Sequence, residues 1–429
     1  MTVSGFWFQV SSFVFLGFKF VIGSFEFIVS DMEILHYLID LGWRLWLVGI
    51  ILPFVISMVL VFMVHPFVVR VARKMSAMDE PDERKLQEAP VPVMGGVAVI
   101  WGIIIGAGAT SVFFNSYALF TSIVAITVML YVGMGDDIIG LSPILRLVIE
   151  VLVIGFVVKM DLVNMNDFHG LFGIHKLPVY LSLPLVAFGG CGIINAINMI
   201  DGVDGLSSGL CIMASMAFGV FFCASHDGTM AVMCALAAGA LIPFFLHNVF
   251  GKRSKMFIGD SGTLMMGMLM TIFTLHTVDN TSRVAFNFPN MGVVAFCISV
   301  LSVPIFDTLR VMTGRIMKGV SPFHADKSHL HHLFIEIGFS HVGTAACVIL
   351  LNALNIFCWF VSYQLGADAT VQFLVVVLVG FLNTSGIYYI VRRMNHDRQP
   401  YKVLKRIAEL SHVETGPFYK GMRRLMDRM

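Results

Sequence analysis

Charge is scarce in this chain. Asp, Glu, Lys and Arg make up 13% of its residues, where a soluble domain carries about 25%. That excludes two or three ordinary water-soluble domains, which 429 residues would otherwise accommodate. Paired cysteines are also missing. The seven cysteines (Cys191, Cys211, Cys223, Cys234, Cys297, Cys347 and Cys358) all fall in apolar runs, and none forms a CxxC pair. Neither a disulfide framework nor a cysteine metal site is suggested; these residues read as small core hydrophobes. A secretory leader is not recognisable either. Residues 1–31 are apolar and rich in Phe, but Lys19 and Glu26 interrupt them, and no basic start or small-residue cleavage site stands out. Two readings remain for this segment: Met32 is the true start, or residues 1–31 lie at a membrane interface.

What is present is hydrophobicity: 57% of the residues, with a mean hydropathy of +0.85. A spanning helix needs about 20 apolar residues. Eleven candidates satisfy the pattern: 45–64, 95–114, 116–134, 143–160, 177–196, 207–225, 230–247, 261–277, 291–312, 342–363 and 369–391. The expected fold is therefore all-α, a polytopic bundle of about eleven transmembrane helices. An N-terminal segment (1–44) precedes the transmembrane domain (45–391), and a basic tail (392–429) follows it. That tail is suited to anionic lipid headgroups. The net charge of +1 carries no information about partners, and no nucleic-acid partner is expected.

The distribution of charge is more telling. Arg70, Arg73, Lys74, Arg84 and Lys85 follow the first candidate span; Lys252, Arg253 and Lys255 follow the seventh. Arg310, Arg315, Lys318 and Lys327 lie around and beyond the end of the ninth, and ten basic residues follow the eleventh. The alternate connections hold few or none. Because positive residues collect on the cytoplasmic side, connections after odd-numbered spans and the C-terminus are expected there.

Four polar clusters share that side: Gly135-Asp136-Asp137, Asn198-Met199-Ile200-Asp201-Gly202-Val203-Asp204-Gly205, Phe257-Ile258-Gly259-Asp260-Ser261-Gly262, and His329-Leu330-His331-His332. Each has a plain structural reading. The aspartates are good helix N-caps, Arg84 and Lys85 mark the inner side of a membrane, and the histidines suit a solvated loop or, less readily, zinc. Together they suggest one polar site at the membrane face. Carboxylates there could hold a divalent cation against phosphate oxygens, basic residues could hold the remaining phosphate charge, and glycines allow close backbone approach. A nucleotide or pyrophosphate is the natural ligand.

At these residues the sequence resembles the polyprenyl-phosphate N-acetylhexosamine-1-phosphate transferases. Asp136-Asp137, the Asn195–Leu206 run, Phe257–Gly262 and the Pro90–Gly96 loop carry the likeness, which spans about residues 45–395. The histidine pattern, preceded by Ser321-Pro322-Phe323, is similar to the branch that transfers N-acetylglucosamine-1-phosphate to undecaprenyl phosphate. The peptidoglycan branch, which transfers phospho-N-acetylmuramoyl-pentapeptide, has three adjacent histidines instead. A departure stands at Gln87, where the family pattern has His after the Arg-Lys pair.

The resemblance implies attack by undecaprenyl phosphate on UDP-N-acetylglucosamine, with UMP released, as the first membrane step of O-antigen or common-antigen synthesis. It implies Mg²⁺, with Mn²⁺ as a substitute, held by Asp260 and Asp137. Asp136, Asp137, Asp201 and Asp260 would be catalytic. Arg84, Lys85, Asn198, Asp204, Phe257, Arg310, Arg315, His329, His331 and His332 would bind substrate. The bacterial inner membrane, a cytoplasmic cleft and a homodimer are further expectations. The alternatives are the peptidoglycan transferase and, from another class, an ion-coupled transporter, whose sites usually hold acids at the membrane midplane. A membrane scaffold with structural loops is the third.

Overall fold

The computed structural model describes residues 43–79, 90–111, 116–161, 163, 166–279, 288–324 and 326–428. Residues 1–42, with both readings of the N-terminal segment, lie outside these, as do Arg84, Lys85 and Gln87. The chain is helical almost throughout: α1 (Trp43–Lys74), α2 (Gly95–Thr110), α3 (Tyr117–Ile139), α4 (Pro143–Met160), α5 (Val179–Met199), α6 (Leu206–Ala224), α7 (Gly228–Phe250), α8 (Gly259–Asp279), α9 (Val293–Val300), α10 (Ser302–Met317), α11 (Leu330–Ile337), α12 (His341–Gln364), α13 (Ala369–Phe381), α14 (Ile387–Arg393), α15 (Gln399–Leu410) and α16 (Pro417–Met426). Two short strands, β1 (Met78–Asp79) and β2 (Val91–Pro92), pair antiparallel between α1 and α2.

Within the described residues, each candidate span falls largely on helix. Among the described residues, eight helices are long and apolar enough to cross a membrane, nine if α9 and α10 count as one bent span. The protein is thus a multi-pass membrane protein. Helix α2, at 16 residues, is about 24 Å long, and α4 carries Arg146, Glu150 and Lys159. Helix α1 runs past the expected end of its span, so Arg70, Arg73 and Lys74 belong to its last turns.

Residues 291–312, expected as one span, are broken. The axis bends by 76° between α9 and α10. The Asn352 side chain satisfies the backbone exposed at the break. Its Oδ1 accepts from Val303 N–H (2.9 Å) and Ser302 Oγ (3.1 Å), while its Nδ2 donates to the Val300 carbonyl (2.8 Å). Backbone polar groups inside a bilayer need such partners. A polar side chain from a neighbouring helix thus permits a kink that hydropathy cannot reveal.

Helix α8 lies at the centre, packed on α2, α3 and α5. Its Met265–Met270 run is buried throughout, as core packing requires. Small residues bring its neighbours close. Gly96 of α2 abuts Gly262 of α8, Gly267 of α8 abuts the Ile194 backbone of α5, and Gly133 of α3 faces the Asp260–Ser261 backbone. In lipid, where apolar burial gives little drive between helices, close backbone approach supplies the contact. The Pro90–Gly96 segment locks onto the same region. Phe257 N–H donates to the Pro92 carbonyl (2.8 Å), and Gly95 N–H to the Phe257 carbonyl (2.9 Å).

A Cβ on Gly133 would sit 2.3 Å from the Asp260 carbonyl oxygen and 2.4 Å from Ser261 Cα, both backbone atoms. Gly133→Ala is expected to cost about 1–3 kcal/mol by overpacking and to lower activity by displacing Asp260. An unfolding titration in detergent checks the first effect; an unchanged midpoint would show that α3 and α8 can separate freely.

Candidate active site

The last turn of α3 and the first turn of α8 meet through one carboxylate. Asp137 Oδ1 accepts the Asp260 N–H (2.9 Å), and Oδ2 accepts the Ser261 N–H (3.1 Å). First-turn N–H groups have no partner within their own helix, so Asp137 caps α8 from 123 positions earlier in the chain. The plain reading of Asp137 as a cap for the helix that follows it is therefore half right: it caps, but another helix. Gly259, at φ +70°, makes the turn, and a Cβ there would lie 2.8 Å from Asp137 Oδ2.

Asp136 is held differently. It accepts the Leu141 N–H (2.7 Å) and pairs with Arg146 Nη1 (2.9 Å). Arg146 also donates to Asn195 Oδ1 (3.0 Å), whose Nδ2 donates to Glu150 Oε2 (2.7 Å). This network joins α3, α4 and α5.

Asn198, at the end of α5, donates to Asp260 Oδ1 (2.6 Å) and reaches Thr263 Oγ1 (2.8 Å). The charges of Asp79 and Asp136 act on Asp260, which in turn acts on Asp137 and Asp201; Arg146 is the counter-charge felt by Asp260. Asp201 opens to solvent and accepts from Ser207 Oγ (2.5 Å). Protein crowded around its carboxyl raises its pKa, against the pull of Ser207, and the charges of Asp260 and Asp204 raise it further. This end of the cleft is a negative pole.

Asp204 makes the opposite arrangement. Lys255 Nζ lies 2.6 Å and His341 Nδ1 3.2 Å from its Oδ2. Burial alone would raise its pKa, but the His341 hydrogen bond and the Lys255 charge hold it below the usual carboxylate range. The turn beside it is fixed by Gly205, whose N–H donates to Asn248 Oδ1 (2.7 Å). Lys255 Nζ also lies 5.5 Å from the Phe257 ring centre.

The histidine segment is anchored on buried Asp307 of α10. Asp307 Oδ2 meets His329 Nδ1 (2.9 Å), and its Oδ1 pairs with Arg310 (2.6 Å). Arg310 also donates to the Ser328 carbonyl (2.7 Å) and stacks 3.9 Å from the Tyr388 ring centre. Arg315 is paired with Asp326 (2.9 Å) and donates to the Pro322 carbonyl (2.7 Å). Both arginines, read from the sequence as ligands for substrate, are buried and engaged with protein. His331 packs on Gly202, where a Cβ would lie 2.4 Å from its Nε2, so the histidine segment closes against the Asn198–Gly205 stretch. Burial, then the neighbouring histidines, lowers the pKa of His331; burial and His329 lower that of His332 to about 4. These rings are neutral at pH 7 and act through hydrogen bonds rather than charge.

The four clusters thus converge at one end of the bundle. Among the described residues, no three His, Cys, Asp or Glu side chains are grouped to hold a metal ion. The donor chemistry nevertheless fits Mg²⁺, which takes one or two carboxylates and fills its shell with water and phosphate oxygens.

Residues 119–278 match the model of glycosyl transferase family 4. The match covers the segment from the first turn of α3 to the last turn of α8. It is similar to the undecaprenyl-phosphate alpha-N-acetylglucosaminyl 1-phosphate transferase of Escherichia coli K12, with 29% identity over 294 residues, 67% of this chain and 77% of the relative. A probable undecaprenyl-phosphate N-acetylglucosaminyl 1-phosphate transferase of Bacillus subtilis is 26% identical over 393 residues, 89% of this chain and 98% of the relative. The decaprenyl-phosphate N-acetylglucosaminephosphotransferase of Mycobacterium leprae is 29% identical over 327 residues, covering 70% and 79%. The family match contains Asp136, Asp137, Asn198, Asp201, Asp204, Phe257 and Asp260; the histidine segment lies beyond it.

Sequence reasoning passed over Arg146, Glu150, Asn195, Lys255, Asp307 and His341 as site residues. Arg146 with Glu150, and Asp307 with Arg310, are charges inside apolar helices at spacings of four and three. Such intramembrane ionisable groups mark a site or a pair by default, and that signal was there to use.

Asp204 has a depressed folded pKa, so its ion pairs add stability that is present above the unfolded carboxylate pKa and lost as pH falls through the folded value. The difference in melting temperature between wild type and Asp204→Asn is therefore expected at pH 5 and should shrink below about pH 4. Melting curves across that range check it; a difference that grows on acidification would contradict the pairing.

Proposed function

We propose that this protein is a member of that family and transfers N-acetylglucosamine-1-phosphate from UDP-N-acetylglucosamine to undecaprenyl phosphate. The observation that carries the reading is the assembly of Asp137, Asn198 and Asp260 around the α8 N-terminus, at a helix-bundle end where a lipid phosphate and a soluble nucleotide can meet. The names of the bacterial relatives support the same transferred group, N-acetylglucosamine-1-phosphate, and the same acceptor.

An oxygen of the lipid phosphate attacks the phosphorus that bears the sugar. The bond from that phosphorus to the bridging oxygen breaks, and UMP leaves with that oxygen. The product is undecaprenyl-diphospho-N-acetylglucosamine. Asp260 and Asp137 would hold Mg²⁺, or Mn²⁺ in its place, which when bound neutralises charge on the diphosphate. A phosphate monoester with a second pKa near 6 is already largely ionised at neutral pH, so no strong base is needed. Asp136, pinned by Arg146, and Asp137, tied to α8, serve as fixed charges that position the reacting groups. Asn198 orients Asp260, and Asp201 lines the same end.

At the other end, Asp204 receives the uracil and Phe257 stacks on it. His329, His331 and His332 supply hydrogen bonds to diphosphate and sugar, His331 and His332 from neutral rings. Arg310 and Arg315 hold that segment in place, and Arg84 and Lys85, which lie outside the described residues, would add positive charge for the phosphates. The charge distribution supports a cleft and C-terminus on the cytoplasmic side of the bacterial inner membrane. The product would begin an O-antigen or common-antigen type of polysaccharide.

Purified protein given a panel of UDP-sugars should release UMP from UDP-N-acetylglucosamine only when undecaprenyl phosphate and Mg²⁺ are present. Asp260→Ala should lose that activity by about 100-fold or more, the scale of removing a fixed electrostatic group. UMP release only from UDP-N-acetylmuramoyl-pentapeptide would make it the peptidoglycan transferase, and ion flux without UMP release would make it a transporter.

A further inference from the structure

The basic tail does more than follow the bundle; it folds back onto it at two points. The first is Ser411, just after α15. Ser340 N–H donates to Ser411 Oγ (3.0 Å), and Ser340 Oγ donates to the Ser411 carbonyl (2.7 Å). A Cβ on Gly343 would lie 2.3 Å from Ser411 Cβ, so the start of α12 is shaped to this contact. The second is Asp427, at the end of α16. Its Oδ1 accepts the N–H groups of Lys252 (2.9 Å), Arg253 (2.8 Å) and Ser254 (3.1 Å), together with Ser254 Oγ (3.2 Å). Successive N–H groups aimed at one oxygen form an anion-binding nest. Tyr419 Oη donates to the Val249 carbonyl (2.6 Å), and Met426 is 1% exposed, so α16 is docked rather than trailing.

The residue after Ser340 is His341, and the residue after Ser254 is Lys255. These are the two groups that pair with Asp204. They come from chain segments about 85 positions apart and meet at the same Asp204 oxygen. The tail holds the immediate neighbour of each. Contacts made only to stabilise the tail have no reason to select these two neighbours.

We propose that the C-terminal segment 411–428 completes the nucleotide end of the cleft, with Asp427 and Ser411 as positioning residues that set Lys255 and His341 on Asp204. The inference rests on the reading of Asp204 as part of the donor site. It assigns a role in donor affinity to a segment that lies outside the family match and touches no substrate.

The test uses full-length protein in detergent with three variants. All four bonds to Asp427 fall on one oxygen, so Asp427→Asn retains an acceptor, whereas Asp427→Ala removes it. Without any substrate, amine-reactive labelling of Lys255, followed by mass spectrometry, should be about threefold or more faster in Asp427→Ala and near the wild-type rate in Asp427→Asn, because a freed lysine is solvated and mobile. With substrates, Asp427→Ala should raise KM for UDP-N-acetylglucosamine about 5–20-fold while kcat and KM for undecaprenyl phosphate change less than about twofold, the signature of lost donor binding. Ser411→Ala, which deletes one hydroxyl, should shift the same KM in the same direction and covers the case in which Asp427→Ala does not fold. In an Asp204→Asn background the Asp427→Ala effect on KM should largely vanish, since both act through one group. Unchanged Lys255 labelling, or equal losses in kcat and both KM values, would overturn the proposal. If the wild type releases no UMP, the transferase reading falls, and the labelling still decides whether the tail sets Lys255.

Discussion

Asp137 accepting the Asp260 and Ser261 N–H groups in the first turn of α8 is the interaction on which the site depends. A helix N-terminus carries unpaired donors and a partial positive charge. At the end of a membrane bundle those donors need a fixed acceptor. Because that acceptor comes from α3, the positions of Asp137 and Asp260 cannot vary independently. Gly133 and Gly259 are part of the same constraint: side chains there would meet the Asp260–Ser261 backbone and the Asp137 carboxylate. Asn198 then completes the assembly by donating to Asp260. Three chain-remote segments thereby hold like charges together before any substrate arrives, which is the preorganisation that electrostatic catalysis requires.

The site is divided in charge. The Asp137–Asp201–Asp260 end has carboxylates in excess of its counter-charge Arg146 and suits a cation with phosphates. The Asp204 end is neutralised internally by Lys255 and His341 and suits a neutral, hydrogen-bonding base. Between them His331 and His332 are kept neutral, and their segment is secured by the Asp307–Arg310 pair. Such a buried pair costs desolvation and contributes little net stability; its value here is the placement of His329 and, through it, of His331 on Gly202.

Most of this was legible in the sequence at the level of clusters. Glycines beside aspartates at the ends of apolar runs marked Asp136, Asp137, Asp201, Asp204 and Asp260, and the charge distribution set them on one side. What a linear reading could not supply was partnership. Asp137 looked like a cap for α4 and instead caps α8, because the preference for N-cap residues is blind to which helix stands nearby. Arg310 and Arg315 looked like free cations, yet Asp307 and Asp326 were already facing them. The break between α9 and α10 depends on Asn352, a residue 50 positions away. The basic tail read as a lipid-facing appendage, since nothing in its composition indicates that Ser411 and Asp427 dock beside His341 and Lys255.

If these remote segments form one nucleotide site, a bound nucleotide must touch all of them. A structure of the full chain with UDP-N-acetylglucosamine and Mg²⁺ in a lipid nanodisc tests it most directly. Density for the diphosphate is expected between Asp260 and the His329–His332 segment, with the uracil against Phe257 and Asp204. A nucleotide bound elsewhere, leaving Asp137, Asn198 and Asp260 without contact, would contradict it.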